Sequence, residues 1–167
     1  SPAGVDYYLI AAKDMDGVIA GYRQLSGPAP MIPKQAFGLF MSKERYQTQA
    51  RLLEVARTFR AEGFPLDYIV QDWQYWGKHG WGSYQWDESH YPEPKGMLDN
   101  LHAQNVRFMI SVWCNPHGIA LDELKPQKLM AGEWIDVFNE KARATRWKYI
   151  NAAFFSQGAD AWWGDAT

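Results

Sequence analysis

Two aspartates in this sequence stand where apolar, strand-like runs end, a position that suits a catalytic or binding carboxylate. Asp72 follows the run "LDYIVQ", and Asp165 closes the run "DAWWGD". Trp113 and Asn115 occupy the equivalent place after "RFMISV". A carboxylate so placed can act as a nucleophile or accept hydrogen bonds from substrate hydroxyls. In the alternative interpretation, each aspartate only caps a helix or orders its loop.

The aromatic content is high, at 16% of the 167 residues, with nine tryptophans and nine tyrosines. Several of them, including Trp81 and Trp163, lie close in sequence to the two aspartates. A flat indole ring matches the apolar face of a pyranose, which favours a sugar site. Large core residues would account for the same composition. Composition alone leaves both interpretations open.

Strands and helices alternate along the chain. The pattern predicts strands over 7–12, 36–41, 66–73, 107–113 and 160–165. It predicts helices over 18–25, from an N-cap at Ser42 to a stop at Gly63, from Pro94 to Asn105, and over 141–156 with Asn139 as its N-cap. A long aromatic loop covers 73–93, and the proline-rich segment 27–33 cannot continue a helix or a central strand, so it predicts a boundary.

Near-continuous apolar strands that alternate with helices predict a parallel sheet covered by helices. The four strands and three helices predicted after the 27–33 boundary fit an open doubly wound sheet or the first half of a (β/α)₈ barrel. The sequence lacks a G-x-G-x-x-G after the first strand and lacks a P-loop, which removes the main nucleotide-binding arguments for the open sheet. Both architectures place ligands at the carboxyl ends of the strands, where the two aspartates are expected.

Charge and composition exclude several function classes. The formal net charge is -2, the pI is about 6.1 and the basic residues form no block, which argues against nucleic acid or an anionic membrane as a partner. No apolar run is long enough to span a bilayer. Cys114 and the four histidines show no metal-ligand spacing, so we expect neither a metal nor another cofactor.

Four ordered segments carry a resemblance that covers almost the whole chain. They are "YRQLSGPAPMIPKQAFGLFMS", "DYIVQDWQYW…WGSYQWD…YPEPKGMLDNLH", "MISVWCNP" and "VFNEKARATRWKYI…GADAWWGDAT". In these segments the sequence resembles glycoside hydrolase family 31, and within it the α-xylosidases. The resemblance implies an α/β fold in which 34–167 form the N-terminal half of the (β/α)₈ catalytic barrel. It also implies that 1–33 end a preceding β-sandwich domain and link it to the barrel.

The resemblance implies roles for five residues. Asp165 matches the family's nucleophile, and Asp72 matches the aspartate that hydrogen-bonds substrate hydroxyls. Trp113 matches a tryptophan that lines the same subsite, and Trp81 matches an aromatic residue that borders the sugar. Trp163 stands two residues before the nucleophile.

The implied activity is that of a retaining α-glycoside hydrolase, of the α-xylosidase type and acting on xyloglucan-type oligosaccharides. Such enzymes use two carboxyl groups roughly 5–5.5 Å apart, one to attack the anomeric carbon and one to protonate the leaving oxygen. The alternatives are an α-glucosidase or transglycosylase of the same family, or a half-barrel fragment that binds carbohydrate without catalysis.

The family's general acid comes from a later strand, so we expect these 167 residues to be inactive alone. A half barrel leaves two sheet edges and an apolar inner face uncovered. The expected partner is therefore the remainder of the barrel or a second copy, with a proteolytic fragment, a segment of a larger enzyme and two assembling halves all open. No signal peptide is visible, while the family is compatible with a periplasmic or extracellular location.

Overall fold

The computed structural model describes residues 4–165. By its internal contacts the chain divides after Pro33 into two compact units. The first unit contains helix α1, Met15–Ser26, and the second contains six strands and the other four α-helices.

In the first unit, α1 begins earlier than its apolar pattern predicts. Asp14 is the N-cap, and its Oδ1 accepts a hydrogen bond of 2.8 Å from the Gly17 amide, so the first helical turn precedes the predicted start at residue 18. Gly27, the first residue of the proline-rich segment, ends the helix with a φ of +79°. The prediction of a strand over 7–12 is wrong, because these residues pair with no other strand. Tyr7, Tyr8 and Leu9 of this segment are exposed. The origin of this unit in a β-sandwich domain stays a prediction.

The second unit is built on a four-stranded parallel sheet in the order β1-β2-β3-β6. Its strands are β1 (Phe40–Ser42), β2 (Tyr68–Gln71), β3 (Arg107–Val112) and β6 (Ala161–Gly164). In register, Gln71 faces Ile110, which in turn faces Trp162. The positions that follow β2 and β6 therefore lie at the same edge of the sheet, as the sequence predicts for the barrel.

Three helices connect these strands: α2 (Gln49–Ala61), α3 (Pro94–Ala103) and α5 (Glu140–Ala153). The predicted start of α3 at Pro94 is confirmed. The Asn139 cap is also confirmed, because its Oδ1 accepts from the amides of Lys141 and Ala142 at 3.0 and 3.4 Å. The α5 helix stops three residues before its predicted end, and a 3₁₀ turn follows at Phe155–Gln157. Within residues 4–165, no helix combines the length and apolarity needed to cross a bilayer.

The loops after β2 and β3 are long and folded. The first contains a 3₁₀ turn at Gly77–His79. The second contains α4 (Gly118–Leu124) and an antiparallel hairpin of β4 (Met130–Ala131) and β5 (Trp134–Ile135). Neither α4 nor the hairpin is visible in the sequence pattern, because both are too short to show a periodicity.

The core lies between the helices and one face of the sheet. Ile69, Phe108 and Ile110 point to that face and are fully buried against the helical residues of the same cluster. Because successive side chains of a strand point to opposite faces, Val70, Ser111 and Trp163 belong to the other face. Asp72 and Asp165 lie two residues after Val70 and Trp163, so their side chains continue this second face.

The start of the second unit differs from its prediction. Of the strand predicted over 36–41, only Phe40 and Met41 join the ladder, in a strand that continues to Ser42, and Lys34–Phe37 forms a 3₁₀ turn. The predicted N-cap at Ser42 is wrong, since Thr48 caps α2 by accepting a hydrogen bond of 3.1 Å from the Arg51 amide. Tyr46 follows the apolar pattern but lies in the preceding loop, where it is buried.

Candidate active site

Asp72 directly follows β2, and a side chain of the neighbouring strand β3 holds its carboxylate in place. The Ser111 hydroxyl donates a hydrogen bond of 2.8 Å to Asp72 Oδ1, and the Ser111 side chain is fully buried. The register places Asp72 level with Ser111, one position beyond the Gln71–Ile110 pair. Ser111 therefore fixes the direction of the Asp72 carboxylate at the carboxyl edge of the sheet.

Asp165 extends β6 beyond its last paired residue. Its amide donates to the Val112 carbonyl at 3.2 Å, which continues the β3–β6 ladder. Since Asp165 lies two residues after Trp163, the two side chains point to the same face of the sheet. Strands β2 and β6 flank β3, so their axes are about 10 Å apart. Side chains of the size of aspartate can reach from both strands toward one substrate.

Burial and nearby charges affect the ionisation of Asp72. The pKa of Asp72 is raised above its ordinary value of 3.8, first because partial burial disfavours the charged form. The Ser111 hydroxyl opposes this effect by stabilising the carboxylate, while the negative charges of Asp165 and Glu44 raise the pKa further. The charge of Asp165 is thus felt at Asp72.

Two buried tyrosines and an arginine anchor the end of β3. Tyr75 donates to the Ser111 carbonyl at 2.9 Å, and Tyr84 donates to the Trp113 carbonyl at 2.5 Å. Arg146 from α5 donates to both the Tyr84 hydroxyl, at 3.0 Å, and the Trp113 carbonyl, at 3.3 Å. These bonds connect the loop after β2 and the helix α5 to the strand that positions Asp72.

Four tryptophans from the loops after β2 and β3 pack together. Trp113 lies at the centre, with its ring 5.5 Å from that of Trp73, 5.3 Å from Trp76 and 5.9 Å from Trp81. Only 1% of the Trp113 surface is exposed, whereas Trp73 and Trp81 are half-buried. The structure therefore places Trp113 inside the aromatic cluster, and it places Trp73 and Trp81 at the cluster's surface.

Trp163 lies apart from this cluster. It is paired in register with Ser111, on the same face as Asp165, and 38% of its surface is exposed. The five residues singled out from the sequence thus all lie at or beside the carboxyl edge of the sheet, and their roles toward substrate stay predictions.

A carboxylate inside the loop after β2 orders that loop. Asp87 Oδ1 accepts from the Ser89 amide at 3.1 Å and from the Ser89 hydroxyl at 2.6 Å, and Asp87 Oδ2 lies 2.7 Å from His90 Nδ1. The hydrogen bonds from Ser89 and His90 lower the pKa of Asp87 to about 2. Asp87 therefore stays ionised near neutral pH, and its hydrogen bonds order the loop.

Sequence reasoning missed Ser111, Tyr84 and Arg146. A serine inside an apolar strand gives no sign of its function, and its link to Asp72 follows only from the β2–β3 register. The position of Ser111, two residues before Trp113 and therefore on the same face, was the available signal. Tyr84 and Arg146 lie 62 residues apart, a separation that no local pattern can bridge.

Known proteins are similar to this chain in sequence. The family described as "Glycosyl hydrolases family 31 TIM-barrel domain" matches residues 29–167. An α-xylosidase of Saccharolobus solfataricus is 38% identical over 168 residues, which is 98% of this chain and 23% of the relative. An α-glucosidase of the same organism is 27% identical over 182 residues, or 96% of this chain and 25% of the relative.

A solved structure shows the same fold. The crystal structure of a family 31 α-xylosidase from Xanthomonas citri superimposes with a TM-score of 0.84 at 36% identity and covers 93% of this chain. This chain spans 19% of that protein and about a quarter of each of the two sequence relatives. The four parallel strands with their helices correspond to half of such a barrel. The family match over residues 29–167 confirms the resemblance, and the chain belongs to glycoside hydrolase family 31.

Proposed function

We propose that the protein hydrolyses α-glycosides with retention of configuration and that Asp165 is its nucleophile. The observation that carries this proposal is the placement of Asp165 and Asp72 at the carboxyl edge of one parallel sheet, in a family 31 chain. Barrel enzymes carry their catalytic groups at this edge.

In this mechanism, Asp165 attacks the anomeric carbon and the bond to the leaving oxygen breaks. A covalent glycosyl-enzyme forms, and water then hydrolyses it. Each step needs a second carboxyl group, which first protonates the leaving oxygen and then takes a proton from the water. We assign this second role to no residue among 4–165, since Asp72 is bound by Ser111 and is better placed to receive substrate hydroxyls.

Asp72 has the properties of a group that orients a sugar. Its Oδ1 accepts a hydrogen bond from the Ser111 hydroxyl, which leaves Oδ2 to accept a hydrogen bond from a sugar hydroxyl. In this proposal, the ring of Trp81 and the exposed part of Trp163 supply flat apolar surface for the sugar. Trp113 acts through packing, because it supports Trp73 and Trp81 from inside the cluster.

Within this proposal, we assign the substrate to the α-xyloside class. The α-xylosidase of S. solfataricus is 38% identical to this chain, against 27% for the α-glucosidase of the same organism. Xylose lacks the hydroxymethyl group of glucose, so a pocket shaped for xylose excludes glucose by the volume of that group. Xyloglucan-type oligosaccharides are the natural compounds that present terminal α-xylosyl units.

The test is steady-state kinetics of the full-length protein with aryl α-xyloside and aryl α-glucoside. We expect kcat/KM to favour the xyloside by at least about tenfold, the size of effect that one small group exerts in a fitted pocket. We expect Asp165→Ala to lower kcat/KM at least about a thousandfold with both substrates. The matched control is Asp99→Ala on α3, where an exposed aspartate pairs with Lys95 at 2.7 Å.

Two results would overturn different parts of the proposal, the substrate class and the nucleophile. A preference for the glucoside overturns the assignment to α-xylosides and leaves the nucleophile standing. Turnover by Asp165→Ala that stays within tenfold of the Asp99→Ala value overturns Asp165 as the nucleophile.

A further inference from the structure

The two strands that end at a proposed site aspartate also begin next to one. Asp67 directly precedes β2 and Asp72 follows it. In the same way, Asp160 directly precedes β6 and Asp165 follows it. Both strands have four residues, so the same spacing occurs twice, in "DYIVQD" and in "DAWWGD". The first aspartate of each pair therefore lies at the amino edge of the sheet, opposite the edge that carries the candidate site.

Two hydrogen bonds join Asp160 to Phe108 of β3. The Asp160 amide donates to the Phe108 carbonyl at 2.9 Å, and Asp160 Oδ2 accepts from the Phe108 amide at 2.8 Å. The register pairs Met109 with Ala161, so Asp160 is level with Phe108. Because Phe108 is fully buried, its amide has no water to bond instead. The carboxylate therefore serves this amide in place of a strand carbonyl.

Asp67 repeats this arrangement between β1 and β2. Its amide donates to the Leu39 carbonyl at 3.0 Å, and its Oδ2 accepts from the Leu39 amide at 3.0 Å. The register pairs Phe40 with Tyr68, which puts Leu39 level with Asp67. A Cβ atom on Gly38 would lie 1.9 Å from Asp67 Oδ2, so only glycine leaves room for this carboxylate. The same ring of two hydrogen bonds thus forms at the start of both strands.

The side-chain pattern of β6 does not define its register. Trp162 packs against the core on the helix-covered face, and Trp163 points to the opposite face. A slip of one residue would exchange one tryptophan for the other and would turn Asp165 to the wrong face. Among the strands of residues 4–165, β6 pairs with β3 alone. The bonds at the ends of β6 are therefore left to fix its register.

Two basic side chains hold the Asp160 carboxylate in position. Arg107 Nη1 donates to Asp160 Oδ1 at 3.0 Å, and His102 Nε2 lies 2.8 Å from Asp160 Oδ2. Arg107 begins β3 and His102 belongs to α3. The Arg107 amide also donates to the Asp67 carbonyl at 2.7 Å, so the two amino-edge aspartates are connected through β3.

We propose that Asp160 is a positioning residue for Asp165, and that Asp67 has the same function toward Asp72. The inference rests on the proposed function, in which Asp165 is the nucleophile. Each amino-edge aspartate fixes the start of its strand against the neighbouring strand. The four strand residues then determine the height and the face of the aspartate that follows. A displacement of about 1 Å can lower a rate about a hundredfold, so this register matters for catalysis.

The test compares variants of the full-length protein in two measurements. These are steady-state kinetics with an aryl α-xyloside and hydrogen exchange of the Asp165 amide, followed by mass spectrometry. Asp160→Ala removes the acceptor of the Phe108 amide. We expect kcat to fall at least about tenfold while KM stays within about threefold, because Asp165 acts in the chemical step. The Asp165 amide, which donates to the Val112 carbonyl, should exchange at least about tenfold faster.

Asp160→Asn is the conservative variant, because asparagine keeps an oxygen that can accept from the Phe108 amide and lacks the charge. It should restore kcat to within about threefold of the wild type. His102→Gln is the matched control, since it changes a neighbour of the Asp160 carboxylate and leaves both bonds to Phe108 in place. Its kcat and its exchange at Asp165 should stay within about twofold of the wild type.

Asp160→Glu is used if Asp160→Ala does not fold. It keeps a negative charge for Arg107 and His102, while its longer side chain moves the accepting oxygen away from the Phe108 amide. We expect the same losses as for Asp160→Ala.

The outcomes separate this inference from the proposed function. Faster exchange at Asp165 without a loss of kcat would overturn the positioning role and leave the proposed function intact. So would unchanged exchange, or a loss of kcat that Asp160→Asn fails to restore, since the loss would then follow the charge of Asp160. If the wild type turns over neither aryl α-xyloside nor aryl α-glucoside, the proposed function is wrong and the positioning role falls with it.

Discussion

The hydroxyl of Ser111 donates a hydrogen bond of 2.8 Å to Oδ1 of Asp72, across the pairing of β3 with β2. This bond fixes a carboxylate whose pKa is raised by burial and by the charge of Asp165. It also leaves the second carboxylate oxygen free to accept from a substrate. A single buried hydroxyl thereby controls both the direction and the charge of a proposed sugar-binding group.

Ser111→Ala tests this control. Without its donor, the pKa of Asp72 rises further, so the acidic limb of the pH profile of kcat/KM should move to higher pH. We also expect kcat/KM to fall about tenfold, from one lost hydrogen bond to a charged group. Ser156→Ala, which removes an exposed hydroxyl bonded to the Ala152 carbonyl at 3.2 Å, is the control. Lower activity with an unmoved acidic limb would show that Ser111 only maintains the fold.

Asp72→Asn should lower the activity and raise the stability of the fold at neutral pH. Because the pKa of Asp72 is raised in the folded protein, its ionisation destabilises the fold as the pH increases through that raised value. The amide carries no charge, so the variant should have a higher urea midpoint than the wild type at pH 7. The difference should disappear near pH 3, where the wild-type carboxyl is protonated in both states. A variant that is equally less stable at both pH values would contradict this.

Tyr84→Phe should loosen the end of β3. The Trp113 carbonyl then keeps only its bond from Arg146, and Arg146 loses an acceptor. We expect a loss of about 1–2 kcal/mol in the free energy of unfolding, measured by urea denaturation. The exposed Tyr22, changed to Phe, is the control and should be neutral. An unchanged stability in Tyr84→Phe would mean that this hydroxyl does not anchor the strand.

Asp87→Asn should weaken the loop that carries Trp81. The pKa of Asp87 is lowered to about 2, so its stabilising effect is complete above the ordinary value of 3.8 and is lost as the pH falls toward 2. The wild type should therefore exceed the variant in urea midpoint equally at pH 7 and pH 5, and by less at pH 3. If the gap widened at pH 3, hydrogen bonds to the ionised carboxylate could not be its cause.

The sequence pattern predicted the parallel sheet and its covering helices because each strand is short, apolar and followed by an amphipathic segment. Pro94 and Asn139 marked helix starts through local chemistry, and both predictions are confirmed. The Ser42 cap failed because Tyr46 fits the helical spacing and yet packs in a loop, with its hydroxyl toward the Met41 carbonyl at 3.4 Å. Burial in three dimensions decided that position.

The candidate site was only partly visible in the sequence. Asp72 and Asp165 could be placed at one sheet edge, because parallel strands align their carboxyl ends. The partners that hold the site come from long-range pairing, as between Ser111 and Asp72 or Arg146 and Tyr84. The loop after β3 contains α4 and the β4–β5 hairpin, which are too short to predict.

The most direct test of the central claim is to trap the covalent intermediate on Asp165. The full-length protein is incubated with a 5-fluoro-α-xylosyl fluoride, whose glycosyl-enzyme hydrolyses slowly, and the digested protein is analysed by tandem mass spectrometry. We expect one xylosyl-derived adduct, located on Asp165 and absent from the Asp165→Ala protein. An adduct on Asp72 or on any other carboxylate would contradict it.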